Sequence, residues 1–261
     1  MKLSSANINV MVKACRKASI NLIRDFGEIE KLQVSLKGPG DYVTASDKKI
    51  EEIIIGELQK ARPDYSILSE EIGEIKNDKS FRWVIDPIDG TANFMHGIPH
   101  FAISIGLESN NEIICGIIYD PIKDEMFVAE KGNGAYMNNQ RLRVSSRKKL
   151  EDCIIFTGGP KYDAKDKNLS LKEYNNFSSK VLIPIRKLGS ASLDIAYVAA
   201  GRCDGFWQRN LNYWDIAAGI IILKEAGGFI TDFNGGNEYV KNKTVLATNA
   251  KINNEMIEIL K

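Results

Sequence analysis

A chain of 261 residues with 44% hydrophobic and 26% charged side chains has apolar material for a substantial core and excludes a disordered or low-complexity polymer. Its 35 Lys and Arg against 34 Asp and Glu leave a net charge of +1. No basic tract is interleaved with aromatics, so direct nucleic-acid binding is not expected. The four cysteines, Cys15, Cys115, Cys153 and Cys203, stand singly, which argues against a zinc site or redox dithiol and suits a reducing compartment. Met1 to Val10 carries no apolar signal-peptide core, and no apolar run reaches the ~18 residues of a bilayer span. A soluble, cytoplasmic protein with no membrane partner is expected.

The first ~60 residues read as two helices. Val10, Ala14, Ala18 and Leu22, joined by Val12, Ile20 and Ile23, form an apolar stripe ending near Gly27. A polar loop, Lys37-Gly38-Pro39-Gly40-Asp41, follows. Ser46 or Asp47 can cap a second helix carrying Ile50, Ile53, Ile54 and Leu58, which Pro63 stops. The period then changes to short strand-like runs: Tyr65 to Ser69, Phe81 to Asp86, Phe101 to Glu108, Glu112 to Tyr119 and Met126 to Ala129. Asn110-Asn111 is a hairpin turn signal, and Gly132-Asn133-Gly134 reads as a plain turn. Arg141 to Lys149, the densest basic stretch, reads as a solvated strand and turn.

Ile154 to Thr157 reads as a strand, and Lys161 to Lys172 as an exposed loop. Ala191 to Ala199, Trp214 to Ala226 and Ile252 to Leu260 read as helices, among strands at Asp204 to Trp207, Phe229 to Thr231 and Val245 to Thr248. No repeat or linker divides the chain, so one domain over residues 1–261, of layered α/β or α+β architecture, is expected.

The densest chemistry lies in Phe81-Arg82-Trp83-Val84-Ile85-Asp86-Pro87-Ile88-Asp89-Gly90-Thr91. A buried strand ends in two carboxylates three positions apart. Pro87 bars a regular helix, so the backbone is expected to turn there and free the Ile88 carbonyl. Carboxylates and a carbonyl form the donor set that hard cations such as Mg²⁺ favour. Gly90-Thr91 can open a short helix whose first N–H groups face an anion. Alone, each aspartate is equally well a turn or cap residue. The spacing does not match haloacid-dehalogenase phosphatases, whose aspartates lie two apart, nor an EF-hand loop.

Further acids close apolar stretches. Ser66-Ile67-Leu68-Ser69 runs into Glu70-Glu71, and Asp215 opens the apolar helix after Trp214. Taken singly, Glu70 is a solvated glutamate and Asp215 a first-turn residue facing the helix dipole. His96 and His100, the only histidines, are separated by Gly97 and Pro99. That breaks the helix a paired metal site needs, so a structural role is expected.

Asp47, Glu70-Glu71, Asp86-Pro87-Ile88-Asp89-Gly90-Thr91, Trp214-Asp215 and Gly227-Gly228 occur in the order and spacing of the inositol monophosphatases. The chain resembles this lithium-sensitive, Mg²⁺-dependent superfamily, which also contains fructose-1,6-bisphosphatase, over nearly its whole length. Within it, the bacterial extragenic-suppressor type is most similar. The resemblance implies a layered α-β-α-β-α fold, a homodimer and two to three Mg²⁺ ions. By it, Glu70, Asp86 and the Ile88 carbonyl hold the first ion, and Asp86, Asp89 and Asp215 the second, with a weaker third near Glu70 and Lys37. Glu70, and Thr91 acting with Asp47, would orient and deprotonate a water for in-line attack.

On the substrate side the resemblance assigns phosphate contacts to the N–H groups of Gly90 and Thr91, and sugar contacts to Gly189, Ser190, Ala191 and Asp215. The family glutamate for sugar hydroxyls is here Gln208, which lacks the charge and also donates. The implied substrate is a small phosphorylated polyol or sugar, first of all inositol 1-phosphate. Fructose 1,6-bisphosphate, a 3′-phosphoadenosine phosphate or histidinol phosphate would need further basic or aromatic groups, for which Arg209 is the candidate. The resemblance also implies a non-catalytic role in ribosomal RNA transcription and antitermination, with RNA polymerase components as protein partners.

Overall fold

The structure is a computed structural model that describes residues 5–28, 34–38, 41–159 and 167–261. Helix α1 (Ala6–Gly27) is capped by the Ser5 hydroxyl, which accepts from the Ile8 N–H. A two-stranded ribbon, β1 (Val34–Gly38) and β2 (Asp41–Thr44), occupies the stretch expected to be loop and leads into α2 (Ala45–Ala61). The Lys37 side chain, Pro39 and Gly40 lie outside the described residues.

An eight-stranded sheet follows, built from β3 (Tyr65–Ser69), β4 (Gly73–Ile75), β5 (Asp78–Asp89), β6 (Ala102–Ser109), β7 (Glu112–Asp120), β8 (Glu125–Glu130), β9 (Gly134–Met137) and β10 (Gln140–Arg141), in the order β10-β9-β8-β7-β6-β5-β3-β4. The short helix α3 (Thr91–Met95) leaves the end of β5. A four-stranded sheet, ordered β11-β12-β14-β13, comprises β11 (Ile155–Thr157), β12 (Gly205–Arg209), β13 (Phe229–Thr231) and β14 (Thr244–Thr248). Between and after these strands lie α4 (Lys167–Ser178), α5 (Ala191–Ala199), α6 (Tyr213–Glu225), α7 (Tyr239–Asn242) and α8 (Asn253–Leu260).

Three apolar clusters stack these elements into α-β-α-β-α layers. Ile8, Met11, Leu22, Ile50 and Ile54 of α1 and α2 meet Ile67, Trp83, Ile85, Ile105 and Ile117 on one face of the large sheet. Val84, Ile118 and Phe127 on its other face join α5, α6 and Phe206 and Ala247 of the small sheet. Ile155, Trp207 and Leu246 then meet Phe177 of α4 and Met256 of α8. The period-2 alternation of β5 thus sends Trp83 and Ile85 to one core and Val84 to the other. Continued alternation puts Asp86 on the face that α6 covers. Helix α6 sits close because β7 carries Gly116 beneath it, where a Cβ would lie 2.6 Å from the Ala218 carbonyl oxygen.

Several local expectations change. Ile20 and Ile23 lie off the α1 stripe, 71% and 44% exposed. Helix α2 begins at Ala45, so Ser46 and Asp47 stand inside its first turn, and the Ser46 hydroxyl donates to Asp25 at 2.9 Å. Residues 167–172 of the expected exposed loop belong to α4, whose Phe177 and Glu173 are buried, while 161–166 lie outside the described residues. The chain does not turn at Pro87. Strand β5 runs on to Asp89 through a register shift between Asp86 and Asp89, which accommodates a residue without an N–H in an interior strand. The turn comes one residue later, at Gly90 (φ 96°), where a Cβ would lie 3.2 Å from both the Gly189 and His100 carbonyl oxygens. That conformation and that clearance both select glycine.

Candidate active site

The end of β5, the turn after β3, the first turn of α2 and the first turn of α6 converge around Asp86. Asp86 is 1% exposed. Its carboxyl is pushed well above the ordinary carboxylate range by burial first, then by the charges of Glu70, Asp89, Asp215 and Asp47. Four of the acids singled out in the sequence thus crowd the fifth. Among the described residues, no three His, Cys, Asp or Glu side chains already close on one point as a metal cage. They are neighbours, and the three aspartates 86, 89 and 215 are each oriented by one or more hydrogen bonds to one carboxylate oxygen.

Those bonds are specific. Asp86 Oδ1 accepts from the Ile88 N–H at 3.1 Å. Asp215 Oδ2 accepts from the Asn212 N–H at 2.7 Å, so the residue also serves as the first-turn cap its position allowed. Asp89 Oδ2 accepts from the Ser190 hydroxyl at 2.5 Å and from the N–H and hydroxyl of Ser192 at 2.7 and 2.5 Å. Burial raises the Asp89 carboxyl while these serine bonds lower it. Ser192 escaped the sequence reading, although its place in the first turn of an expected helix, two residues after the cap Ser190, was a usable signal.

Thr91 Oγ1 lies 3.0 Å from the Ile88 carbonyl oxygen and 3.3 Å from Asp47 Oδ1. Its single proton serves one of these acceptors at a time. Asn93 Nδ2 donates to the carbonyls of His100 and Leu188, both at 2.7 Å, and so docks the segment before Gly189-Ser190-Ala191 against α3. The hydroxyl of Ser190 is spent on capping α5 and on Asp89. Gly189, at φ 92°, has its α-carbon close under the Asn93 amide.

The substrate-side residues differ in kind. Gln208 is half-buried on β12, and a Cβ at Gly158 would lie 2.0 Å from its Oε1, so the carboxamide packs on that backbone. Arg209 is not available for a second phosphate. Its Nε and Nη2 donate to Glu173 of α4 at 2.7 and 2.5 Å, and its guanidinium lies 4.8 Å from the Phe233 ring centroid. The histidines form no metal pair. His96 caps α3 and is exposed, while His100 sets its ring edge against Tyr197 at 5.8 Å.

The Inositol monophosphatase family profile matches residues 5–260. An inositol-1-monophosphatase of Mesorhizobium japonicum is 50% identical over 258 residues, covering 98% of this chain and 97% of its own. The Nus factor SuhB of Pasteurella multocida is 39% identical, covering 96% and 94% of the two chains. The crystal structure of the extragenic suppressor protein suhB of Bartonella henselae superposes with a TM-score of 0.95 at 52% identity, over 98% and 99% of the chains. No described helix is long and apolar enough to cross a membrane. With its layered fold and its acids gathered at the end of β5, the chain belongs to the inositol monophosphatase family, a family of phosphatases.

Proposed function

We propose that the protein hydrolyses a phosphate monoester, first of all inositol 1-phosphate to myo-inositol and phosphate, with Mg²⁺ as cofactor. The observation that carries this is the crowding of Glu70, Asp89, Asp215 and Asp47 around buried Asp86. Two carboxylates ~4 Å apart repel by about 4 kcal/mol at an effective dielectric of 20, so such a cluster ionises together only with cations present. The donors Glu70, Asp86, Asp89, Asp215 and the Ile88 carbonyl are all oxygen, which fits a hard divalent ion and disfavours zinc. Bound Mg²⁺ supplies compensation for the charge that develops on the phosphoryl group and the leaving oxygen.

The chain's own groups supply the rest. When Thr91 donates to Asp47, its oxygen lone pairs are left to accept a hydrogen bond that orients the attacking water. Glu70 accepts the other proton of that water as it attacks in line. The N–H groups of Gly90 and Thr91 hold phosphate oxygens, and Gly189, Ser190, Ala191 and Gln208 border the polyol. Because Arg209 is neutralised by Glu173, bisphosphates rank behind monophosphates. The test is phosphate release across a panel of monoesters, with and without Mg²⁺ and Li⁺. Hydrolysis that needs Mg²⁺ and is inhibited by Li⁺ supports the reading, and no release with Mg²⁺ present ends it.

The relatives named Nus factor SuhB favour a second role, in which the chain binds protein components of the transcription machinery independently of catalysis. An Asp89→Asn variant that still co-purifies with RNA polymerase components would support it, and loss of that association in wild type as well would refute it.

A further inference from the structure

Glu51 is a buried acid that the proposed chemistry does not use. It lies one turn after Asp47 on α2, so the two side chains leave the same helix face. It is 2% exposed, and a carboxylate so buried needs donors around it. Those donors all come from one turn. Glu51 Oε1 accepts from the Ser69 hydroxyl, from the Glu71 N–H at 3.0 Å and from the Ile72 N–H at 3.4 Å. Burial raises its carboxyl pKa, and these three bonds oppose that shift.

The three donors bracket Glu70 on both sides. We propose that Glu51 is a positioning residue that grips the 69–72 turn and so fixes the Glu70 carboxylate toward Asp86, with which it would hold a cation. Asp47 supports Thr91 from the same helix face. One rigid helix therefore sets the spacing of the two groups that handle the water. Glu51 itself is not among the four carboxylates that bear most on Asp86, so its part is geometric. The inference rests on the proposed role of Glu70 as a metal ligand and proton acceptor.

The test is Mg²⁺ titration of phosphate release from inositol 1-phosphate by Glu51→Ala and Glu51→Gln, with Glu70→Gln alongside. Groups that orient ligands from behind cost about 10–100-fold in metal affinity or activity when removed. Glu51→Ala should raise the half-saturating Mg²⁺ concentration about 10-fold or more, while KM for substrate at saturating Mg²⁺ moves less than about threefold. Glu51→Gln retains an acceptor oxygen and should recover most of the loss. A contact that merely pins α2 to β3 would lower stability without moving the Mg²⁺ midpoint. That result in folded Glu51→Ala overturns the proposal. Should Glu51→Ala fail to fold, Ser69→Ala decides the matter through a measurable shift in the midpoint, and no shift in it overturns the proposal. If Glu70→Gln is itself indistinguishable from wild type, the role of Glu70 has failed. If Glu70→Gln is impaired while the Glu51 variants are not, only the positioning inference has.

Discussion

Asp86 and Asp204 are equally hidden from solvent and are satisfied in opposite ways. Asp204 gathers donors: the Arg147 guanidinium at 3.2 Å, the Ile154 N–H at 2.8 Å, the Asn249 amide at 3.4 Å and the Ser145 hydroxyl. Asp86 accepts from the Ile88 N–H and otherwise faces four more acids. A buried carboxylate among donors and a cation ties β12 to the loops around it. On the proposed function, a buried carboxylate among carboxylates is a place prepared for an ion. Burial does not separate the two classes, but the sign of the neighbouring charges does.

The sharpest way to break that contrast is to neutralise each acid in turn. Asp86→Asn and Asp215→Asn should each lower turnover at least about 10³-fold while leaving the fold intact. In EDTA, Asp86→Asn should raise the unfolding free energy by about 1 kcal/mol, read as a higher Tm, because it removes one charge from a repelling set. Near-normal phosphate release in either variant would refute the metal assignment. Asp204→Ala should do the reverse. It strands several buried donors at a cost of about 2–4 kcal/mol, read by urea denaturation, and leaves kcat of the remaining folded enzyme unchanged.

A smaller effect probes the substrate side. Gln208→Glu restores the family's charged acceptor and should lower KM for inositol 1-phosphate up to about 10-fold, equivalent to ~1.4 kcal/mol. An unchanged KM would place Gln208 outside the polyol contacts.

The smallest effect concerns His100, a half-buried base whose Nε2 atom is buried with no hydrogen-bond partner. Burial, then the Lys123 charge, lowers its pKa from 6.5 to about 4. Between those values the unfolded chain binds a proton that the folded chain refuses, so stability is full above the upper value and falls as pH drops toward the lower. His100→Phe should flatten the decline of Tm over that interval. An undiminished slope would show that the imidazole is solvated.

The fold was largely legible in the sequence. Tyr65 to Ser69 reads as a strand and is one, and the helices after Ser190 and Asn212 begin within a residue of their expected starts. The β1–β2 ribbon and α4 were missed because neither carries a clean apolar period: α4 buries only Glu173 and Phe177. At the site, Glu70, Asp86, Asp89, Thr91 and Asp215 stood out as acids or hydroxyls at the edges of apolar runs, and Asp47 entered only through the family resemblance. Ser192 and Glu51 did neither, because each works through a partner distant in sequence, Asp89 for Ser192 across 103 positions.

The sequence by itself determined the helix and strand periods, the all-oxygen character of the acids and their places at element ends, since these depend on neighbours a few residues away. Only the tertiary structure decided which acids meet, that Arg209 is bound up by Glu173, and that Glu51 grips the turn bearing Glu70. Charge compensation is settled by proximity in space, and the chain brings those groups together only after the layers have packed.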